Sequence, residues 1–285
     1  MTSHLWFHEV GQHHFGIQIR VRRTLCHVQS PYQEIMLLET EGMGRMMILD
    51  GCVMLTERDE FLYHEMLAHP AMCSHPNPKR VLVIGGGDGG TVRELLRYPE
   101  IESIDLVELD EQVVRVSQEF LPEISAGLTD PRVTMHFRDG VVFLEERTNT
   151  YDIIFIDSTD PVGPAAGLIA QEFFANCKRA LRGQGIVVMQ SESPFVHAKE
   201  IKQIHHNLRP VFPNPQLYLS PMLSYPSGWW SFTMVSEKFD ARRDFVEERC
   251  HRVSKQLEYY NPAIHQSAFT LPNFVQRMLN EPQDA

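Results

Sequence analysis

Five acidic residues stand where strand meets loop. Asp88 lies in Gly85-Gly86-Gly87-Asp88-Gly89-Gly90, directly after the apolar run Val81-Leu82-Val83-Ile84. Glu108 closes Ser103-Ile104-Asp105-Leu106-Val107-Glu108, and Asp139 follows Val133-Thr134-Met135-His136-Phe137. Asp157 ends Tyr151-Asp152-Ile153-Ile154-Phe155-Ile156, with Asp160 close behind. A glycine turn that offers bare backbone N–H groups suits a pyrophosphate; a carboxylate at Asp88 would repel one and attract a cation. Gly85, Gly87 and Gly90 also satisfy G-x-G-x-x-G, a weak signal alone. Glu108, about twenty residues past the glycine loop, is placed to accept bonds from both ribose hydroxyls. A bound ribose beside a cation-attracting loop points to a sulfonium nucleoside of the S-adenosyl type rather than a nicotinamide. Asp139 can accept from an adenine amino group. Asp157 and Asp160 form a second carboxylate pair in the Gly/Pro-rich loop Asp157-Ser158-Thr159-Asp160-Pro161-Val162-Gly163-Pro164, which could close over a substrate. Taken singly, each acid reads as a turn or cap residue. Four of them at equivalent strand ends favour function.

The elements that must position these acids follow from periodicity. Residues 1–55 read as a small N-terminal β-domain, with alternation in Phe15-Gly16-Ile17-Gln18-Ile19-Arg20-Val21 and hairpin signals at Gly42, Gly44 and Asp50-Gly51. Thr56-Glu57-Arg58-Asp59 predicts a capping-box helix start, and that helix should run to about His69. From residue 56 to 285 strands alternate with helices predicted over Thr91–Arg97, Glu111–Phe120, Ala170–Leu181 and about His197–Leu208. The pattern predicts an α/β fold, a Rossmann-like doubly wound, mainly parallel sheet of the methyltransferase-like kind. Ligands in such sheets bind outside the carboxyl ends of the strands, where the acids lie.

Composition sets outer limits. The chain has 285 residues, 43% of them hydrophobic, enough for a substantial core. A formal net charge of -11 argues against nucleic acid or an anionic membrane as partner. Five scattered cysteines without a C-x-x-C pair, no membrane-spanning run and no signal-peptide pattern lead us to expect a reduced, cytoplasmic protein. The adjacent pairs His13-His14 and His205-His206 read as surface residues rather than a metal site. No G-x-S-x-G suggests a serine hydrolase. Lys178, Arg179 and Arg182 read as complements to a helix dipole.

The chain resembles the polyamine aminopropyltransferases, most of all the bacterial spermidine synthases. The resemblance is carried by Leu49-Asp50-Gly51, Thr56-Glu57-Arg58-Asp59-Glu60-Phe61, Tyr63-His64-Glu65-Met66, Gly85-Gly86-Gly87-Asp88-Gly89 and Asp157-Ser158-Thr159-Asp160-Pro161 with Gly163-Pro164. It continues through Tyr225-Pro226-Ser227-Gly228 and Tyr259-Tyr260-Asn261-Pro262-Ala263-Ile264-His265, in order over nearly the whole chain. It implies a homodimer or homotetramer that joins decarboxylated S-adenosylmethionine, a co-substrate and not a cofactor, to putrescine, giving spermidine and methylthioadenosine. By that resemblance Gln33, Asp88, Glu108, Asp139 and Gly140 contact the nucleoside, with Pro164 near its adenosine part. Tyr63 and His64 line the junction of the two substrates, Asp157 is the base, and Asp160, Gln190, Tyr225 and Trp230 place the diamine. No metal is implied. Met54 stands where some relatives carry glutamine, which leaves a polar contact there open.

The residue types suit that chemistry on their own terms. The nucleophile must be a neutral amine, and an alkylamine with a pKa about 10.4 is neutral in only about one molecule per thousand near pH 7.4. A carboxylate can take its proton if burial raises the acid's own pKa. Displacement at a methylene beside a sulfonium needs positioning and no covalent enzyme intermediate. Tyr63, Tyr225 and Trp230 can surround an alkyl chain and hold cations over their faces; core packing is their ordinary alternative. Two other readings stay open. A methyltransferase would share the glycine loop and ribose acid without needing Asp157 and Asp160. A nucleoside- or polyamine-binding protein could do without a base altogether. Cadaverine, agmatine and spermidine remain alternative acceptors, since pocket length decides among them.

Overall fold

The computed structural model describes residues 5–10, 15–161 and 163–281, without the side chain of Pro164. Five strands come first: β1 (Leu5–Val10), β2 (Gly16–Gln29), β3 (Glu34–Thr40), β4 (Arg45–Leu49) and β5 (Cys52–Thr56). They pair antiparallel in sequential order as one sheet. Asp50 (φ 47°) and Gly51 (φ 83°) make the left-handed turn that closes the β4–β5 hairpin, as the Asp-Gly pair predicts.

The chain continues through α1 (Glu60–Ser74), β6 (Arg80–Gly85), α2 (Gly90–Leu95), β7 (Ser103–Glu108), α3 (Glu111–Phe120) and α4 (Pro122–Ser125). Then come β8 (Val133–Phe137), α5 (Gly140–Glu145), β9 (Tyr151–Asp157), α6 (Gln171–Ala180), β10 (Leu181–Gln190) and α7 (Ala198–Leu208). The last elements are β11 (Gln216–Pro221), β12 (Trp229–Val235), α8 (Glu247–Ser254), α9 (Pro262–Ala268) and α10 (Asn273–Asn280). The second sheet has the order β11-β12-β10-β9-β6-β7-β8. Strands β10, β9, β6, β7 and β8 run parallel, and β12 is antiparallel to both β10 and β11.

The apolar runs are continuous because both faces of the central strands are covered. Val81, Val83, Ile153 and Phe155 join the core beneath α1 and α2. Leu82, Ile84, Ile154 and Ile156 join the opposite core, with Phe143, Phe173 and Phe174. A third apolar cluster unites the two domains: Ile35, Leu37 and Met47 of the first sheet pack on Val113 and Val116 of α3.

Two local expectations change. Helix α1 begins at Glu60 without a capping box: Thr56 Oγ1 donates to Asp59 Oδ1 at 2.6 Å, and no side chain caps the helix start. It also runs through Pro70 to Ser74, past His69. Every residue of α1 except Phe61 is buried, and packing on all sides outweighs the proline's missing N–H. His205, expected at the surface, is buried and lies 3.1 Å from Thr233 Oγ1 through Nε2; His13 and His14 lie outside the described residues. Arg182 lies in β10 rather than at the end of α6.

Candidate active site

Strand order reverses at β6, which has β7 on one side and β9 on the other. A crevice opens at such a switch point, and here Gly85 is paired with Asp157 across it. Gly85 has φ 80°, and a Cβ there would lie 2.0 Å from the Asp157 carbonyl oxygen, so the turn requires glycine. The Gly86 N–H donates to that oxygen at 2.9 Å, tying the loop to β9.

The cavity has a volume of about 310 Å³ and draws its walls from both domains. Gln33, Asp88, Glu108, Asp139 and Gly140 line one part of it; Tyr63, His64, Asp157, Asp160 and Tyr225 line the other. Glu108 accepts from the Gly87 N–H at 3.1 Å and the Asp110 N–H at 2.9 Å. Burial, partly offset by these bonds, still pushes its carboxyl up to about 7. Asp139 caps α5, its Oδ1 accepting from the Val141 N–H at 2.7 Å, and remains exposed at the rim. Gln33 spans the domain boundary, donating from Nε2 to Asp110 Oδ2 at 3.0 Å.

Asp157 is the last residue of β9, every one of whose residues is buried. Its two oxygens accept from Tyr63 Oη at 2.8 Å and Thr91 Oγ1 at 2.6 Å. Burial raises its pKa, as does the nearby Asp88 carboxylate, while His64 and the two hydroxyl donors work against the rise. Asp88 moves the other way. Burial would raise it, but the charge and hydrogen bond of His64 outweigh burial, helped by the Gly90 N–H at 2.7 Å. Two adjacent carboxylates are therefore driven apart, one toward ionised and one toward protonated, a pattern that separates a charge-holding acid from a base.

One nitrogen each from His64 and one oxygen each from Asp88 and Asp157 lie within 4.8 Å of one another. Both His64 nitrogens already face carboxylates, Glu60 at 2.6 Å and Asp88 at 3.2 Å. A metal ion at His64 would have to displace one of these carboxylates. The cluster fits an ammonium better than a metal ion.

Gln190 and Trp230 do not line the cavity. Gln190 is buried behind the acidic loop and donates from Nε2 to the Ser158 carbonyl at 3.3 Å and to Glu192 Oε1 at 3.2 Å. Trp230 packs edge-on to Tyr225 with ring centroids 4.6 Å apart; Tyr225 itself donates to the Met54 carbonyl at 2.8 Å. Both stand behind the wall. Burial raises the Asp160 pKa, and the Glu200 carboxylate adds to the rise, while His197 and a hydrogen bond with Glu192 oppose it. The Pro164 side chain lies outside the described residues.

Sequence reasoning passed over Glu60, Thr91 and Arg93. Thr91 follows the glycine loop directly, and Glu60 stands four residues before His64, an i,i+4 spacing that could have flagged it. Arg93 gave no signal, because only the fold brings α2 against α1.

Comparison with known proteins agrees with this geometry. Residues 60–245 match the spermine/spermidine synthase domain, and residues 5–57 match the spermidine synthase tetramerisation domain. A polyamine aminopropyltransferase of Moorella thermoacetica is 46% identical over 281 residues, 98% of each chain. One from Alkaliphilus metalliredigens is 42% identical, over 96% of this chain and 98% of that one. Among solved structures, a spermidine synthase in complex with the transition state analogue AdoDATO superposes with a TM-score of 0.95 at 40% identity, covering 98% of this chain and 96% of that one. The spermidine synthase from Thermotoga maritima superposes with a TM-score of 0.94 at 40% identity, over 98% and 95%. A full-length match in sequence, two matching domains and a shared fold make this chain a member of the spermine/spermidine synthase family of transferases.

Proposed function

We propose that this chain transfers the aminopropyl group of decarboxylated S-adenosylmethionine to putrescine. The amine nitrogen attacks the propyl methylene next to the sulfonium, the C–S bond breaks with its electrons going to sulfur, and methylthioadenosine leaves. Asp157 takes the proton that the amine must lose. The observation that carries this reading is the opposed behaviour of two neighbouring carboxylates, Asp88 held ionised and Asp157 raised. Positioning supplies much of the acceleration, and the sulfonium is its own leaving group, so the reaction needs no cofactor.

In this reading Glu108 accepts from the ribose hydroxyls, and Asp139, Gly140, Gln33 and Pro164 hold the adenosine. Asp88 holds the positive end of the aminopropyl chain. Tyr63, His64 and Tyr225 enclose the reacting carbon and nitrogen, and Asp160 takes the far ammonium of the diamine. Gln190 and Trp230 act from behind, by supporting the acidic loop and Tyr225. The N-terminal domain, with Leu5, Trp6 and Phe15 exposed and a tetramerisation-domain match, supports assembly as a homodimer or homotetramer. We assign it to the cytoplasm; among the described residues no helix is long and apolar enough to cross a membrane.

The test is mass spectrometry of products after incubation with decarboxylated S-adenosylmethionine and putrescine, cadaverine, agmatine or spermidine, with parallel tubes of intact S-adenosylmethionine. We expect methylthioadenosine with spermidine dominant. Another dominant aminopropylated amine would overturn putrescine alone. A methylated product would overturn the reaction, and absence of any product would leave a binding protein.

A further inference from the structure

We propose that Glu60, clamped by Arg93, is a positioning residue that keeps His64 doubly protonated, so that His64 neutralises Asp88 and leaves Asp157 to take the proton of the amine. The proposal rests on the aminopropyl-transfer reading and adds residues that lie behind the reacting groups. Glu60 and His64 are one turn apart on α1, with Oε2 and Nδ1 2.6 Å apart. The other ring nitrogen, Nε2, lies 3.2 Å from Asp88 Oδ1. A neutral imidazole carries one N–H and one lone pair. Either tautomer would turn its lone pair toward a carboxylate oxygen in a site where the side chains of His64 and Glu60 are 3% and 8% exposed. The imidazolium satisfies both contacts.

Glu60 cannot swing away, because Arg93 grips both of its oxygens, each at 2.8 Å. Arg93 is fixed in turn through Nε to Glu94 Oε1 at 2.8 Å. Glu94 is also gripped by Arg97 at 2.6 Å and approached by His69 at 3.1 Å. On its other side the ring of His64 occupies the space that a side chain at Gly90 would need, a Cβ there falling 2.3 Å from Cε1. The ring is thus fixed in place between Glu60 and Asp88.

The groups facing His64 come from four elements: Glu60 and Tyr63 on α1, Asp88 on the glycine loop, Asp157 at the end of β9, and Arg93 on α2 through Glu60. With His64 charged, three carboxylates face two cations, and the ammonium of the donor's aminopropyl chain, held at Asp88, completes the balance, so that nothing further holds the acceptor amine in its charged form. With His64 neutral, the surplus negative charge would hold the amine as an ammonium between Asp88 and Asp157, unable to attack. Burial works against the charged imidazole, but Asp88 and Glu60 together hold its pKa well above the ordinary histidine value. Removing the charge of Glu60 lowers that pKa, so the imidazolium is lost at lower pH.

Two measurements test this. The first is the pH profile of kcat/KM for the diamine in wild type and Glu60→Gln. The alkaline limb should move to lower pH by about 1–3 units in the variant, with donor binding retained. A loss of rate equal at every pH, with the limb unmoved, would mean a structural role only and would overturn the proposal. The second is ¹⁵N NMR of the imidazoles in the wild-type protein, with the His64 signal identified by its loss in His64→Gln. Both nitrogens should be protonated at about pH 8; a neutral ring there would overturn the proposal whether or not the Glu60 variant folds. If the wild type transfers no aminopropyl group, the functional reading fails by itself, and the NMR measurement still decides the state of His64.

Discussion

Asp157→Asn removes the proposed base while keeping the shape of the side chain. The structure limits the collateral damage. The two oxygens of Asp157 accept from hydroxyls, Tyr63 Oη and Thr91 Oγ1, and a hydroxyl can turn to accept from an amide as readily as it donates. Stability should fall by no more than about 1–2 kcal/mol, and donor affinity should persist because Glu108 and Asp139 are untouched. Turnover is another matter. Loss of a positioned base removes about 10²–10⁴-fold, or about 3–5 kcal/mol of transition-state stabilisation. The remaining activity should climb with pH, because only amine already deprotonated in solution can react, and that fraction grows about tenfold per pH unit below the amine pKa. The wild type, by contrast, should level off above the raised pKa of Asp157. Methylthioadenosine release followed by chromatography gives the rates, and calorimetry gives donor binding. A variant that retains wild-type kcat, or whose residual rate ignores pH, refutes the assignment.

Two further outcomes follow from the same geometry. Burial pushes the Glu108 carboxyl up to about 7, so its contribution to stability is fully present below the ordinary carboxylate pKa of about 4.3 and lost as pH rises through about 7. The melting temperature of the ligand-free protein should fall over that window and flatten in Glu108→Gln, while affinity for the donor, whose ribose hydroxyls need the charged carboxylate, should rise; calorimetry showing the reverse trend would refute the role. Gly90→Ala sets a methyl 2.3 Å from the His64 ring; denaturant unfolding should show a loss of about 1–3 kcal/mol, and the amine KM should rise as the ring is displaced.

The catalytic half of the fold was legible because its signals are local. Strands β7 and β8 and helix α3 fall on the residues that alternation and helical spacing predict. Helix α1 was misjudged at both ends. Its sequence carries a proline, and its start carries a capping pattern, whereas its surroundings bury it on every side. Leu181, expected to end the helix before it, instead opens strand β10, since it pairs with Tyr151 across a register shift that periodicity does not reveal. In the site, the acids at strand ends were readable because strand ends are readable. The pairing of Glu60 with Arg93 was not, since a buried ion pair between α1 and α2 depends on a packing that neither segment encodes alone. Trp230 and Gln190 illustrate the converse: both bear chemically able side chains, and the fold places them behind the lining residues, against Tyr225 and the Ser158 carbonyl.

The cavity joins two materials of unequal stiffness. Asp157 sits at the tip of a strand clamped by neighbours on both edges and by cores on both faces. Asp160, only a few residues on, belongs to an irregular segment propped by Gln190. The proposed base is therefore anchored in a strand held on both edges and both faces, and the proposed acceptor end of the pocket in an irregular segment. A designer seeking a longer or shorter amine acceptor has a natural partition: vary Thr159, Asp160 and the Tyr225 wall, and leave β9 alone. Drift in acceptor preference among descendants of this chain would be free to follow the same division, changing what is modified without relearning how.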